Sequence, residues 1–303
     1  TTAPAHTLFD IVRQLPEGSQ VELDNTEDSQ NLVLNSGRSK FTLSCLPTED
    51  FPVLSGDELP HNFELPAKAL RTLIDRTKFA ISTEETRYYL NGIYIHVSDV
   101  DGTPKLRAVA TDGHRLAKVE VDCPPGAENV PGVIVPRKAV TELRKLAEEF
   151  GENIRVSVSD TRIRFSFDGV IFTTKLIDGT FPDYGRVIPT GNDKVLEVNT
   201  SDFSEAVSRV SAISSDKSRA IKLGLTSGNL LLSVISSENG SAVEELGVDY
   251  SADGVEIGFN SRYLLDITQQ IEGDLARFTL ADSASPTLVQ DTSDDTTLYV
   301  LMP

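Results

Sequence analysis

Cysteine is scarce in this chain of 303 residues, with only Cys45 and Cys123. Two distant thiols supply neither a disulfide framework nor a zinc cluster, and such scarcity fits a reducing, cytoplasmic setting. Histidine is thin as well, at positions 6, 61, 96 and 114. A nucleophile needs a base and an orienting group beside it, and scattered histidines are a poor source of both. No glycine-rich loop leads into a Lys-Ser or Lys-Thr pair, and neither a His-Glu metal pair nor a nucleophile elbow occurs. These absences speak against an enzyme and imply no metal and no cofactor. Asp99-Val100-Asp101-Gly102 has the opening of a calcium loop, but its glycine comes too early and no glutamate closes it, so it reads as a hairpin turn. No apolar run reaches the roughly 18 residues of a membrane span. Thr1-Thr2-Ala3-Pro4 shows no basic region followed by an apolar core, hence no visible secretory signal.

Positive charge is also in short supply. The formal net charge is −18, which at first sight disfavours a polyanionic partner. The distribution says more. Residues 1–60 carry 10 acids and 3 bases, residues 61–186 carry 18 of each, and residues 187–303 carry 18 acids and 7 bases. The middle third is neutral, and its bases gather on two helices.

What the chain does have is repetition. Apolar residues at helical spacing recur five times: Leu8, Ile11, Val12 and Leu15; Leu70, Leu73 and Ile74; Val140, Leu143 and Ala147; Phe203, Ala206, Val207 and Val210; Leu264, Ile267 and Ile271. Each series makes one apolar stripe on a helix. Pro4, Pro66 and Pro136 open three of these helices, where a missing N–H costs nothing. Asn199 and Asn260 open the other two as N-caps. The starts are 62, 70, 63 and 61 residues apart. Short alternating runs lie between them, as in Arg162-Ile163-Arg164-Phe165-Ser166-Phe167. The unit is one helix followed by about four strands, an α+β design. A longer repeat overlies it, for Phe51-Pro52 and Phe181-Pro182 are 130 residues apart. The expected domain is thus a pair of units, giving 1–60, 61–186 and 187–303. The first holds a single unit, which suggests that 60–65 residues are missing upstream and that this part should not be stable alone.

The most distinctive stretch lies between two alternating runs, Leu106–Ala110 and Leu116–Val121. It reads Ala110-Thr111-Asp112-Gly113-His114-Arg115-Leu116-Ala117. Asp112-Gly113 predicts a tight hairpin with a primed turn. By itself this is as compatible with a plain surface turn as with a site. Yet the string closely resembles the most characteristic motif of the bacterial sliding clamps, the beta subunits of DNA polymerase III. Arg87-Tyr88-Tyr89-Leu90-Asn91-Gly92, Phe181-Pro182-Asp183-Tyr184 and Tyr299-Val300-Leu301-Met302-Pro303 match the same family in the same order, and the similarity runs from Thr1 to Pro303.

The resemblance implies a non-catalytic processivity factor: a head-to-tail homodimeric ring of six similar domains around duplex DNA, cytoplasmic and nucleoid-associated. It implies a groove between the second and third domains for short peptides of the polymerase alpha subunit, the clamp loader, and other polymerases and repair proteins. Leu90, Thr111, Gly113, His114, Arg115, Leu116, Pro182, Arg186, Val187, Asn260, Tyr263, Val300, Leu301, Met302 and Pro303 would form it. Leu90, Leu116, Val187, Val300, Leu301 and Met302 would be its apolar walls, although Leu90 and Val300 read equally well as core. His114, Arg115, Arg186 and Asn260 would fix the peptide's polar groups. Ser218 and Ala284 stand where some relatives carry larger side chains, so peptide preference should differ. Tyr88 and Tyr89 are implied to touch DNA.

Helix geometry adds its own reading. At 100° per residue, Arg137, Lys138, Arg144 and Lys145 fall on one face, and Lys68, Arg71 and Lys78 on another. An ordinary solvated face explains them; so does sequence-independent phosphate contact. For the dimer, edge strand residues Phe41 and Leu43 would meet Ala212 and Ile213. The competing reading of the same repeats is a protein-interaction scaffold that never meets DNA.

Overall fold

The computed structural model describes all residues except 26–29, 52–58, 151 and 215–218. The chain divides into two compact units, Thr1–Asp57 and Glu58–Pro303. Five α-helices are present among the described residues: α1 (Ala5–Val12), α2 (Ala67–Asp75), α3 (Arg137–Glu149), α4 (Thr200–Ser211) and α5 (Ser261–Thr268). Each coincides with one predicted stripe. None is long and apolar enough to cross a membrane.

The prolines sit one place earlier than expected. Pro4, Pro66 and Pro136 occupy the N-cap, with extended or near-extended backbone. Pro136 ends strand Val133–Pro136 and Pro66 ends strand His61–Pro66, so one residue closes a strand and starts a helix. Asn199 and Asn260 cap as expected, accepting from the backbone N–H of Asp202 and Arg262, each at 3.0 Å.

In the smaller unit, strands Glu22–Asp24, Asn31–Ser36 and Ser39–Ser44 form a three-stranded antiparallel sheet. Alternate residues Leu32 and Leu34 are buried on it. Helix α1 has no fully buried residue: of its predicted stripe Leu8, Ile11 and Leu15 are half-buried and Val12 is exposed, as is Phe9 beside it.

The larger unit repeats helix plus strands four times, with a chain-terminal unit of three strands. Two four-stranded sheets flank a nine-stranded one. The central sheet runs in the order 249–250, 194–199, 275–280, 287–291, 294–301, 115–122, 103–111, 92–100, 133–136. It passes straight across the expected boundary at Arg186, because Asp294–Leu301 pairs antiparallel with Arg115–Asp122. Helices α2 and α3 pack together, as do α4 and α5, and one continuous core joins them to the sheets.

Strand alternation gives that sheet two apolar faces. Ala108, Ala110, Ala117, Val119, Tyr299 and Leu301 point into the helix-side core. Val109, Leu116 and Val300 point the other way, into a second cluster with Leu90, Ile134 and Phe181. Helix α3 follows the predicted facing, with Val140, Leu143 and Ala147 buried and Arg137 and Lys138 exposed. Leu143→Ala is expected to cost about 2–5 kcal/mol in urea unfolding, and Lys138→Ala no more than about 0.5 kcal/mol. Equal losses for the two would contradict this facing.

Candidate functional site

The two Asp-Gly dipeptides behave differently. Asp101 and Gly102 both have positive φ, 51° and 81°, the tight primed turn expected for this pair. At Asp112-Gly113 only the glycine does, at 90°, and the predicted two-residue turn is replaced by a four-residue connection between Thr111 and Leu116. The cause is the Asp112 carboxylate. Its Oδ1 accepts from the N–H groups of His114 (2.9 Å) and Arg115 (3.0 Å), taking over the bonds a tight turn would make. Thr111 Oγ1 closes the loop by donating to Arg115 O at 2.7 Å and accepting from Gly113 N. The positive φ is what calls for glycine at 113; a Cβ there would also meet the tip of the Arg87 side chain, which can swing aside.

Arg115 is buried and fully occupied. Its Nε bonds Asp112 Oδ2 at 3.1 Å, its Nη1 bonds Asp266 Oδ2 at 2.5 Å, and its Nη2 donates to Phe79 O at 2.6 Å. The guanidinium also lies over the rings of Tyr263 (4.4 Å) and Phe79 (5.1 Å). Its planar fork fastens α5 to the hairpin and to the turn after α2, and it also lines the cleft between them. Asp266 and Phe79, its partners, had not been singled out from sequence. An aspartate one turn into a helix carries no local signal of a partner 151 residues away.

Leu301 also changes place. It pairs with Arg115, whereas Val300 pairs with Leu116. Adjacent residues on a strand face opposite ways, so Leu301 lies in the helix-side core and shares no wall with Leu116 and Val300. Leu90, Leu116 and Val300 are themselves buried. They are packed inside the outer-face cluster, Leu90 at the end of a 3-10 segment, Glu85–Leu90. The accessible rim comes from the connection after strand Val170–Lys175. Pro182 and Arg186 are exposed there and Val187 is half-buried. Arg186 pairs with Asp183 at 2.9 Å. At the sheet's end Met302 N donates to His114 O at 2.9 Å, so half-buried Met302 and exposed Pro303 continue the ladder beside exposed Gly113 and His114. Asn260 is engaged as the α5 cap, and Tyr263 stacks on His114 with centroids 6.3 Å apart. Phe79, Glu84, His114, Arg137, Arg262 and Tyr263 line a cleft of about 470 Å³.

The basic faces are thinner than residue counts imply. Arg144 bonds Asp75 (2.6 Å) and Glu148 (2.9 Å), Lys145 bonds Glu142 (3.1 Å) and Lys78 bonds Asp75 (2.5 Å). Arg71 donates to Ala147 O at 2.6 Å, satisfying the end of α3. Among the described residues, Lys68, Arg137 and Lys138 are exposed with no ion pair. Tyr88 is exposed, and Tyr89 meets it edge-on at 5.8 Å.

Phe41 is half-buried and Leu43 buried on the edge strand Ser39–Ser44. Ala212 is exposed just past α4, and Ile213 is half-buried, its carbonyl accepting from Asn239 Nδ2 at 3.3 Å. Ser218 lies outside the described residues. Ala284 is exposed in a loop whose N–H groups of Ala284 and Ser285 are held by Asp282 Oδ1.

Sequence profiles of the DNA polymerase III beta subunit match nearly the whole chain: the N-terminal domain over residues 1–55, the central domain over 64–183 and the C-terminal domain over 185–303. The chain is 53% identical over 302 residues to the beta sliding clamp of Caulobacter vibrioides, covering all of this chain and 81% of that protein. It is 37% identical over 305 residues to that of Escherichia coli K12, with the same coverage. Among solved structures, a Caulobacter crescentus beta sliding clamp superposes with a TM-score of 0.96 at 53% identity, over 99% of this chain and 80% of that one. A Bartonella birtlesii sliding clamp bound to griselimycin gives 0.93 at 52% identity, with the same coverage.

Replacing Arg115 by methionine keeps much of its bulk and strands Asp112 and Asp266. It is expected to destabilise the larger unit by about 3–5 kcal/mol, the loss typical of breaking a buried ion pair. A loss below about 0.5 kcal/mol by urea unfolding would class the contact with ordinary surface pairs.

Proposed function

The chain belongs to the DNA polymerase III beta subunit family, the bacterial sliding clamps, non-catalytic processivity factors of DNA replication, and from that premise we propose how its residues divide the work. Two copies close head to tail into a ring around duplex DNA. Residues 61–186 and 187–303 act as the second and third domains, welded by the central sheet. The observation that carries this reading is that sheet: it continues from one repeat into the next with paired helices on one side.

Lys68, Arg137 and Lys138 supply the phosphate contacts, which need charge and no base readout. Tyr88 and Tyr89 meet DNA at the rim. So few unpaired bases make the electrostatic grip weak, and retention rests on encirclement. The dimer forms where edge strand Ser39–Ser44, through Phe41 and Leu43, meets the partner's surface equivalent to Ala212 and Ile213.

The outer groove receives short peptides of the polymerase alpha subunit, the clamp loader and repair proteins. Leu90, Leu116 and Val300 form its floor. Pro182, Val187, Met302 and Pro303 form its sides, with Thr111, Gly113 and His114 at the hairpin end and Arg186 at the rim. Each apolar side chain a peptide buries contributes roughly 1.5–3 kcal/mol. Two or three anchors, less the ordering cost, give affinity on the order of micromolar, suited to partners that exchange.

The protein loaded on circular DNA should be retained, and linearising the DNA should release it; retention on linear DNA, or none on the circle, would contradict encirclement. Phe41→Asp should sediment as a monomer, and a persistent dimer would place the interface elsewhere. Changing Tyr88 and Tyr89 together to alanine should weaken loading onto primed DNA while leaving the dimer intact; unchanged loading would remove them from the DNA contact.

A further inference from the structure

The connection that forms one side of the groove is tied down by a chain of polar bonds that the family match does not explain. Three residues lie in a row on the outer face of the central sheet, His96 opposite Arg107 and Arg107 opposite Glu120. Tyr184, between Pro182 and Val187, reaches down to them. Arg107 Nη1 donates to the Tyr184 oxygen at 2.7 Å, and that oxygen lies 2.9 Å from His96 Nε2. His96 Nδ1 lies 3.1 Å from the carbonyl oxygen of Val97. A carbonyl only accepts, so Nδ1 carries the hydrogen and Nε2 of a neutral ring is an acceptor. The chain then has one direction: Arg107 to Tyr184, Tyr184 O–H to His96, His96 to Val97.

Packing fixes the same parts. Phe181, Tyr94 and His96 form a stacked column, with centroids 4.9 Å and 4.7 Å apart. Phe181 opens the connection and His96 ends the column in the strand below. The connection's other ion pair, Asp183–Arg186, is exposed and adds little rigidity. Tyr184 O–H is therefore the polar anchor of that wall.

We propose that neutral His96 and Tyr184 are positioning residues for the peptide groove: their bond holds residues 182–187 in the binding-competent place, and a proton on His96 releases them. The proposal rests on the groove reading above. A second proton puts an N–H on Nε2, facing the Tyr184 O–H donor. The phenol oxygen would then have to accept from His96 and Arg107 together, and its own hydrogen would lose its acceptor.

The charged and titratable groups around the ring are few. The adjacent strand offers Arg107, the next offers Glu120 and Lys118, the connection offers Tyr184, and the ring's own strand offers Tyr94. Strand Val133–Pro136 offers none. Glu120 is already engaged by Arg107 at 2.5 Å and Lys118 at 2.9 Å. Burial holds His96 below the usual histidine range and Arg107 acts the same way, against the Val97 carbonyl and Glu120. Burial also keeps the Tyr184 phenol protonated by pushing it above its ordinary range. The ring thus stays neutral at neutral pH, and the groove loosens as pH falls below the ordinary histidine value.

Calorimetric titration of the dimeric protein with griselimycin, the compound bound by the Bartonella birtlesii clamp, tests this. Wild type should bind roughly fivefold more weakly at about pH 5 than at about pH 8, the worth of one ordinary hydrogen bond. His96→Phe and Tyr184→Phe, which keep the rings and remove the bond, should bind more weakly at both pH values and lose the pH step. His114→Gln, altering the other histidine near the groove, should retain the step. A pH-independent wild type, or a step surviving in Tyr184→Phe, overturns the proposal. No binding by wild type at about pH 8 overturns the groove reading beneath it. Should either phenylalanine variant not fold, wild-type NMR decides. His96 must show the Nδ1–H tautomer, and the amides of residues 183–188 must shift with its titration midpoint; unshifted amides refute the latch.

Discussion

One strand pairing holds the functional half of this molecule together. Asp294–Leu301 lies antiparallel to Arg115–Asp122, joining two repeats that would otherwise be separate sheets. An isolated sheet edge exposes unpaired N–H and C=O groups and is poorly stable. Here each repeat covers the other's edge, and the alternation of side chains through the joint produces two cores at once. Tyr299 and Leu301 complete the helix-side core, while Val300 completes the cluster on the outer face. Both cores are thus built by the joint itself. A shift of one residue in register would exchange the two faces and remove both.

Arg115 secures that joint at the end of the ladder, opposite Leu301. A lysine would not serve as well. The contacts are two carboxylates, a carbonyl and two aromatic rings, a set that a guanidinium's spread donors and flat surface meet together and a single ammonium does not. Arg76 adds a second tie across the same boundary, bonding Glu272 at 2.9 Å. Polar groups here act as fasteners between repeats, whereas His114 and Arg186 are exposed and engage only near neighbours, Tyr263 and Asp183.

Much of this was legible in the residues. Five stripes of helical period predicted five helices, because a helix on a sheet must show one apolar face. Asn199 and Asn260 marked helix starts because their side chains can cap. The groove was legible mainly by resemblance, and its details were not. Alternation alone sets Val300 and Leu301 on opposite faces of their strand, but only the pairing with Leu116 and Arg115 shows which of the two turns to the helix-side core. The tie from Arg115 to Asp266 was hidden because the two lie far apart along the chain. The bases of α2 and α3 looked available because pairings such as Arg144–Asp75 cross between helices. For Leu301, Arg115 and the Arg144–Asp75 pair the missing information was long-range, whereas Lys78–Asp75 and Lys145–Glu142 are local pairs at helical spacing.

Function follows from this architecture. In the sliding-clamp family the ring does the holding, and the stiffness of these two repeats depends on the shared sheet. Amide hydrogen exchange tests that dependence directly. The amides of residues 116–119 and 297–300 should be protected as strongly as those of strand Ala220–Thr226, which lies inside one repeat. Exchange at the joint as fast as in exposed loops would mean that the two repeats open independently, and would contradict the account.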